Sequence, residues 1–331
     1  CETPLTLRAC CESANAASLL RVDRLARLPS HHAPRAYAGG HMAAPKSKLP
    51  RLSPSRINTF LGCAMKYRFQ YVESVPGLPS EAMVRGSFVH RVLELLLGRE
   101  PDQRTIDASR EDFDAAKREF LVRDDFRLLL LDSGDEAAFW DSSRECLRAY
   151  YRIERPTEAN IVELEKWVTT PLGDFEIGGF IDRLERDTQG LIVSDYKTSR
   201  PKPAHFSTDN FRQLTYYALM CETQLKETPH SVRVYYLGGG KDEFARDARV
   251  VSQAVTPTTL SEVRDTARRV FASIASAESS GEFSTNVTKL CEWCDFKEWC
   301  PAHGGDANRA REEGTARVNL RRREAGLPIS S

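Results

Sequence analysis

The sequence predicts an α/β domain in which a mixed β-sheet is flanked by helices. Three successive segments, 161–170, 175–187 and 191–197, are rich in β-type residues. They are separated by Pro171-Leu172-Gly173-Asp174 and Thr188-Gln189-Gly190, turn-forming stretches that bound strands. Helical periodicity dominates on either side of this block. A hydrophobic content of 41% suffices for a packed core.

Taken in order, the chain opens with 48 residues rich in Ala, Arg, Leu and Ser and without strong periodicity. They read as a disordered leader, foreign to the domain. The apolar core of about 7–15 residues that a secretory signal needs is missing, and an Arg-rich transit peptide is the alternative. From Leu52 the pattern tightens. Ser53-Pro54 is a helix start, and the helix is expected to run through Cys63 to about Tyr71. A second helix covers about 82–97. Residues 101–156 alternate acidic, basic and apolar positions with few glycines, which predicts a helical insert of two or three helices. After the three strands come a helix over about 210–224, strands at 231–237 and 249–255, and a long helix over about 259–276. The domain proper is expected at 49–305, with 306–331 as a charged tail that includes Arg321-Arg322-Arg323.

Chemistry concentrates in the hairpin. Gly178-Gly179-Phe180-Ile181-Asp182 and Leu191-Ile192-Val193-Ser194-Asp195-Tyr196-Lys197 each carry one aspartate. Period-2 alternation puts Asp195 and Lys197 on one face. An Asp-x-Lys pair on a strand is ordinarily a surface ion pair worth less than about 1 kcal/mol. Here it ends an apolar run that reads as buried, where charges are costly unless paired or bound to metal. Two carboxylates and an ammonium can hold a divalent cation, a phosphate and an activated water.

Three further motifs fit the same site. Arg85-Gly86-Ser87-Phe88-Val89-His90 lies in the second helix, and a neutral imidazole can join carboxylates around a metal. Gln213 and Tyr217 are four apart, hence on one helical face, and could hold a phosphate or a stacked base. Cys291-x2-Cys294-x5-Cys300-Pro301 has the thiol density of a metal site, with Cys63 as the candidate fourth ligand. Thiolates suit structural zinc or an iron–sulphur cluster, and the spacing leaves the choice open. A disulfide framework fits poorly, because no secretory segment is evident and nine cysteines do not pair evenly. Trp293, Phe296 and Trp299 are expected to pack around the cysteines. Glu163 and Glu165 are both candidates for an additional acid, undecided between them.

Together these residues resemble the RecB-family branch of the PD-(D/E)xK nucleases, with its restriction-endonuclease-like fold. The likeness is to iron–sulphur exonucleases similar to the AddB nuclease domain and the CRISPR adaptation nucleases. It runs from about Leu52 to Pro301, through Leu52-Ser53-Pro54-Ser55 with Cys63, Gly86 to His90, Gly179-x-x-Asp182, Asp195-Tyr196-Lys197-Thr198, Gln213-x3-Tyr217 and the cysteine run. The resemblance implies that His90, Asp182, Asp195 and the Tyr196 carbonyl bind a catalytic Mg²⁺ or Mn²⁺, with Lys197 acting beside it. It also implies that Cys63, Cys291, Cys294 and Cys300 hold a [4Fe–4S] cluster joining the N- and C-terminal segments. Closing so long a loop would stabilise the fold by about 4–5 kcal/mol in the entropy model used for disulfides.

The expectation is therefore a metal-dependent DNA exonuclease acting on single-stranded ends in repair or recombination, with a helicase or recombination partner. The competing class is a DNA-binding module whose cysteine site is structural; a sequence-specific endonuclease is less attractive because no separate recognition region is evident. Lys and Arg total 47 and Asp and Glu total 47, so DNA binding would rest on a local basic rim. Arg56, Lys66, Arg68, Arg85, Arg200, Lys202 and Arg212 are its candidates. No run approaches the roughly 18 apolar residues of a membrane span, and a cytoplasmic location is expected.

Overall fold

A computed structural model describes residues 47–201, 204–238 and 248–329. The expected leader up to residue 46, and Lys202 of the basic rim, lie outside the described residues.

Helix α1 (Pro54–Gly62) begins at Ser53, whose hydroxyl accepts the Arg56 amide at 3.2 Å. Pro54 occupies the first turn, where no amide donor is needed. The helix expected to reach Tyr71 is interrupted at Cys63, which is extended with φ −166°. It resumes as α2 (Ala64–Tyr67) and a π-turn over Arg68–Val72. The break has a tertiary cause. Asn286 Nδ2 donates to the Gly62 carbonyl at 2.8 Å and the Met65 amide donates to the Ser284 carbonyl at 3.0 Å. The C-terminal segment thus takes over backbone groups that a continuous helix would have used.

Helix α3 (Glu81–Leu97) is capped by the Ser80 hydroxyl. Residues 101–156 contain α4 (Ile106–Leu121), α5 (Asp124–Arg127) and α6 (Ser133–Ile153), with Thr105 and Asp132 as side-chain caps of the first and last. Phe88 of α3 makes edge-to-face contacts with Phe113, Phe120 and Trp140. Its ring joins α3 and the insert into one aromatic core.

The sheet has six strands: β1 (Arg51–Leu52), β2 (Ile161–Pro171), β3 (Glu176–Asp187), β4 (Gly190–Lys197), β5 (Ser231–Tyr236) and β6 (Arg249–Ala254). β2 and β4 pair antiparallel with β3, β5 runs parallel to β4, and β6 closes the edge antiparallel to β5. β1 pairs parallel with the start of β3. The mixed sheet flanked by helices is the architecture that the alternation pattern predicts. α1, helix α7 (Ala204–Gln224) and helix α8 (Pro257–Ser280) share one apolar core with the sheet. α3, α4 and α6 share the other, against Tyr196 and Tyr235.

Two details of the sheet position the site. The β3–β4 ladder runs from Asp187↔Gly190 to Arg183↔Ser194 and ends there. β4 nevertheless stays paired to β5 as far as Lys197↔Tyr236. Asp182 and Asp195 are therefore the first residues past the last β3–β4 pair, at a fork whose β4 arm β5 holds rigid. Behind the fork, Arg183 is 0% exposed. Its guanidinium reaches Glu154 through two bonds of 2.6 and 2.7 Å, also Glu185, and the Tyr196 hydroxyl at 3.2 Å. A buried charge persists only when paired in this way.

Residues beyond Asp306, read from sequence as a charged tail, contain helix α9 (Ala310–Glu324). A Cβ at Gly314 would lie 2.8 Å from Val75 Cγ1, so glycine permits the close approach. Arg322 pairs with Asp124 at 2.8 Å, and Arg127 donates to the Ala325 carbonyl at 2.9 Å. α9 therefore contacts both the insert and the segment after α2. Among the described residues no helix is long and apolar enough to cross a membrane.

Candidate active site

α3, β3, β4 and α7 each deliver side chains to the fork. His90 faces it from α3: Nε2 donates to the Tyr196 carbonyl at 2.8 Å, and Nδ1 lies 3.3 Å from Asp182 Oδ2. With both ring nitrogens facing acceptors, the protonated imidazole is favoured. Burial lowers the His90 pKa, but Asp182 and then Asp195 outweigh it and lift the pKa to about 9. Lys197 Nζ lies 2.8 and 2.7 Å from the two Asp195 oxygens.

The two aspartates are shifted in opposite directions. Burial pushes Asp195 up to about 6, against the pull of Lys197 and with the push of Asp182. Burial acts upward on Asp182 too, yet the His90 charge and hydrogen bond hold its carboxyl below the usual range. Pairs of titratable groups driven apart in this way are common at functional sites.

α7 closes the fork from the other core. A Cβ at Gly179 would lie 2.8 Å from Tyr217 Cε1, so this glycine is what lets the Tyr217 ring lie against β3. Burial, then the Asp182 charge, raises the Tyr217 hydroxyl, which the Gln213 side chain hydrogen-bonds. The fold thus brings His90, Asp182, Asp195, Tyr196, Lys197, Gln213 and Tyr217 to one place.

Of the two undecided glutamates, Glu163 is a surface residue paired to Lys166 at 2.7 Å. Glu165, two residues further along β2, is within electrostatic range of the fork. Burial, then Asp182 and Glu94, pushes its carboxyl up to about 8. Glu94 was not anticipated, although its place four residues after His90 on α3 puts both on one helical face.

Among the described residues, no group of three or more His, Cys, Asp and Glu side chains is already gathered as a metal cage. The residues of the fork nonetheless fit a hard divalent cation. The Oδ2 atoms of Asp182 and Asp195 are buried, and their contacts are the ion pairs to His90 Nδ1 at 3.3 Å and Lys197 Nζ at 2.7 Å; carboxylate, carbonyl and imidazole donors suit Mg²⁺ or Mn²⁺. His90 and Lys197 supply the positive charge beside them.

The four cysteines form a second locus. Cys63, Cys291, Cys294 and Cys300 are free and half-buried. The bonds from the Met65 amide to the Ser284 carbonyl and from Asn286 to the Gly62 carbonyl hold the residues flanking Cys63 to the C-terminal segment. Burial raises the Cys294 thiol, and the Cys63 thiol is close enough to add to the effect. The Cys291 thiol lies 3.9 Å from the Asn286 carbonyl. Four thiols on tied segments suit a soft metal or cluster in their chemistry. Cys146 and Cys221 lie inside α6 and α7, where burial pushes their thiols up to about 11 and 12. Phe296 and Trp299 are buried beside the cysteine run. Trp293, expected to pack there too, is 77% exposed instead. Its short 3₁₀ turn, Lys289–Trp293, points it outward.

The basic rim is largely engaged with the protein itself. Arg68 pairs with Glu73, Arg85 with Glu81, and Arg212 with Asp209 and Asn58. Arg56 lies over the Tyr71 ring at 4.8 Å.

The family description "PD-(D/E)XK nuclease superfamily" matches residues 51–301, which span β1 through the last cysteine. The chain belongs to the PD-(D/E)XK nuclease superfamily. Nucleases of this superfamily typically use Mg²⁺ or Mn²⁺, and the fold implies DNA as substrate. Two of the solved structures that the chain resembles are as follows. A candidate exonuclease from Eubacterium rectale is 15% identical with a TM-score of 0.47, over 74% of this chain and 86% of that chain. The protein SSO0001 is 14% identical with a TM-score of 0.38, over 80% of this chain and 91% of that chain. No curated protein matches.

Proposed function

We propose that this superfamily member is a metal-dependent DNA exonuclease of the RecB type. It acts on single-stranded ends in repair or recombination, alongside a helicase or recombination partner. One observation carries the reading. β3 and β4 part just where each presents an aspartate, and the only lysine on either strand stands beside the second.

Asp182, Asp195, His90 and the Tyr196 carbonyl would hold Mg²⁺ or Mn²⁺. When bound, such a cation neutralises charge at the scissile phosphate and acidifies water. The protein's own groups do the rest. Lys197 lies two residues past Asp195 on the same face, so its ammonium can orient the attacking water and stabilise charge developing on the phosphoryl oxygens. Asp195 holds that ammonium in place, and β5 holds Asp195. Gln213 and Tyr217 are placed to grip the strand being cut. The Cys63, Cys291, Cys294 and Cys300 thiols would hold a [4Fe–4S] cluster, and their role is to tie the two ends of the domain together.

Digestion of end-labelled single-stranded DNA tests this reading. Release of mononucleotides or short oligonucleotides that needs Mg²⁺ or Mn²⁺ supports it. DNA binding without metal-dependent cleavage by the parent protein would favour the binding-module reading.

A further inference from the structure

Trp293 lies between Cys291 and Cys294 yet stands in solvent. It is 77% exposed, with Leu290 at 74% and Val287 at 62%. Trp140 and Trp299, by contrast, are each 3% exposed. Leu290 and Trp293 are three apart on the 3₁₀ turn Lys289–Trp293, so they share one face of it. A single exposed apolar side chain is ordinary. Large apolar residues this exposed at 287, 290 and 293 form a patch suited to an occupant.

The charge around the patch favours a polyanion. Lys289 opens the turn, and Lys66 follows Cys63 by three residues; among the described residues neither forms an ion pair. Within the cysteine run, Lys297 neutralises Glu292 at 2.7 Å and Arg317 neutralises Glu298, which leaves Asp295 against the two lysines. Aromatic faces that stack bases, beside cations that take phosphates, are how proteins hold single strands. Helix α1 connects the patch to the fork. It begins just past β1, whose Leu52 pairs with Ile177 of β3. Asn58, midway along it, accepts from Arg212 Nε at 2.9 Å, next to Gln213. At its far end Gly62 is bonded to Asn286, the residue before Val287. Its 9 residues rise about 14 Å, or about four nucleotides at 3.4 Å each.

We propose that Trp293 is a stacking platform for one base of a single DNA strand, with Lys66 and Lys289 on the adjoining phosphates. This rests on the single-strand reading above and extends it to a second contact outside the fork. The platform adds affinity and takes no part in the chemistry. The cysteines on either side of Trp293 fix the turn that presents it.

The test uses the full chain purified without oxygen and a labelled oligothymidylate of about 12 nucleotides. No Mg²⁺ or Mn²⁺ is added, so binding is read apart from cleavage. Trp293 is exposed enough that its replacement does not endanger the fold. Trp293→Ala should weaken binding by roughly 10-fold or more, and Trp293→Phe should keep most of it. An abasic strand of the same length should bind parent and Trp293→Ala alike, because it offers no base to stack. Unlabelled oligothymidylate should quench the parent's tryptophan emission, and Trp293→Phe should lose that quench. Equal affinity of parent and Trp293→Ala for the base-bearing strand overturns the proposal and leaves the patch to a protein partner. An equal loss on the abasic strand, or a parent that binds neither strand, overturns it too. Digestion with Mn²⁺ is followed in parallel. A parent that binds as expected but does not cleave ends the exonuclease reading and leaves this inference standing.

Discussion

His90 Nε2 lies 2.8 Å from the main-chain oxygen of Tyr196, a residue that stands 106 positions later in the chain. Its other nitrogen faces Asp182. One side chain thus spans the fork between β3 and β4. Asp182 and Asp195 lift the His90 pKa to about 9, so an imidazole that served as a metal ligand would first have to give up that proton.

That relationship sets the expectation for His90→Ala. Activity should fall by roughly 10–100-fold, and the loss should depend on which metal is supplied, since two carboxylates can retain a cation without imidazole. Rates of parent and variant with Mg²⁺ and with Mn²⁺ check this. An unchanged rate with both metals would remove His90 from the site.

Arg183→Met addresses the network behind the fork. It leaves Glu154 and Glu185 without their buried cation, a change that typically destabilises by about 3–5 kcal/mol. Urea denaturation measures it, and a loss below about 1 kcal/mol would show that the network relaxes without cost.

The same network predicts an acid limb of stability. Burial alone would raise the Glu154 pKa, but the Arg183 hydrogen bonds and charge lower it below its usual value. A depressed carboxylate contributes stability that is present above its unfolded pKa of about 4.3. That contribution is lost as pH falls through the folded value. The parent should therefore lose stability progressively below about pH 4. Glu154→Gln should flatten that limb, and an identical acid limb in parent and variant would contradict the assignment.

Much of this site can be read in the sequence, and what cannot has physical reasons. Asp182, Asp195 and Lys197 stand out because charges at the ends of apolar strands are conspicuous, and the turn at 188–190 makes the strands neighbours. His90, Gln213 and Tyr217 need company to be noticed, since each would be ordinary on an amphipathic helix. Glu165 could not be told from Glu163 by alternation, which puts both on one face, and its φ of +47° inside β2 is a left-handed conformation that no side-chain pattern encodes. The partnership of Arg183 with Glu154 is equally silent, because it joins a strand to the end of an insert helix. The break at Cys63 arises from hydrogen bonds to Ser284 and Asn286, contacts visible only once the chain is folded.

The cysteines yield a prediction of their own. Protein purified without oxygen should be brown, with about four irons per chain if the site is a [4Fe–4S] cluster. Cys63→Ser should lose the iron and the fold's resistance to heat, because the tie between its ends is lost with the metal's contribution. Cys146→Ser and Cys221→Ser should keep the iron. One zinc in a colourless protein would make the site structural zinc, and iron retained by Cys63→Ser would place the fourth ligand elsewhere.

The central claim is hydrolysis at the fork, and Asp195→Ala tests it most directly. Parent and variant are incubated with end-labelled single-stranded DNA in Mn²⁺, and their folds are compared by circular dichroism. The variant should keep the parent's spectrum and lose the metal-dependent release of labelled product, by about 10³-fold or more if an essential group has gone. A folded Asp195→Ala protein that degrades DNA at the parent's rate would contradict the account.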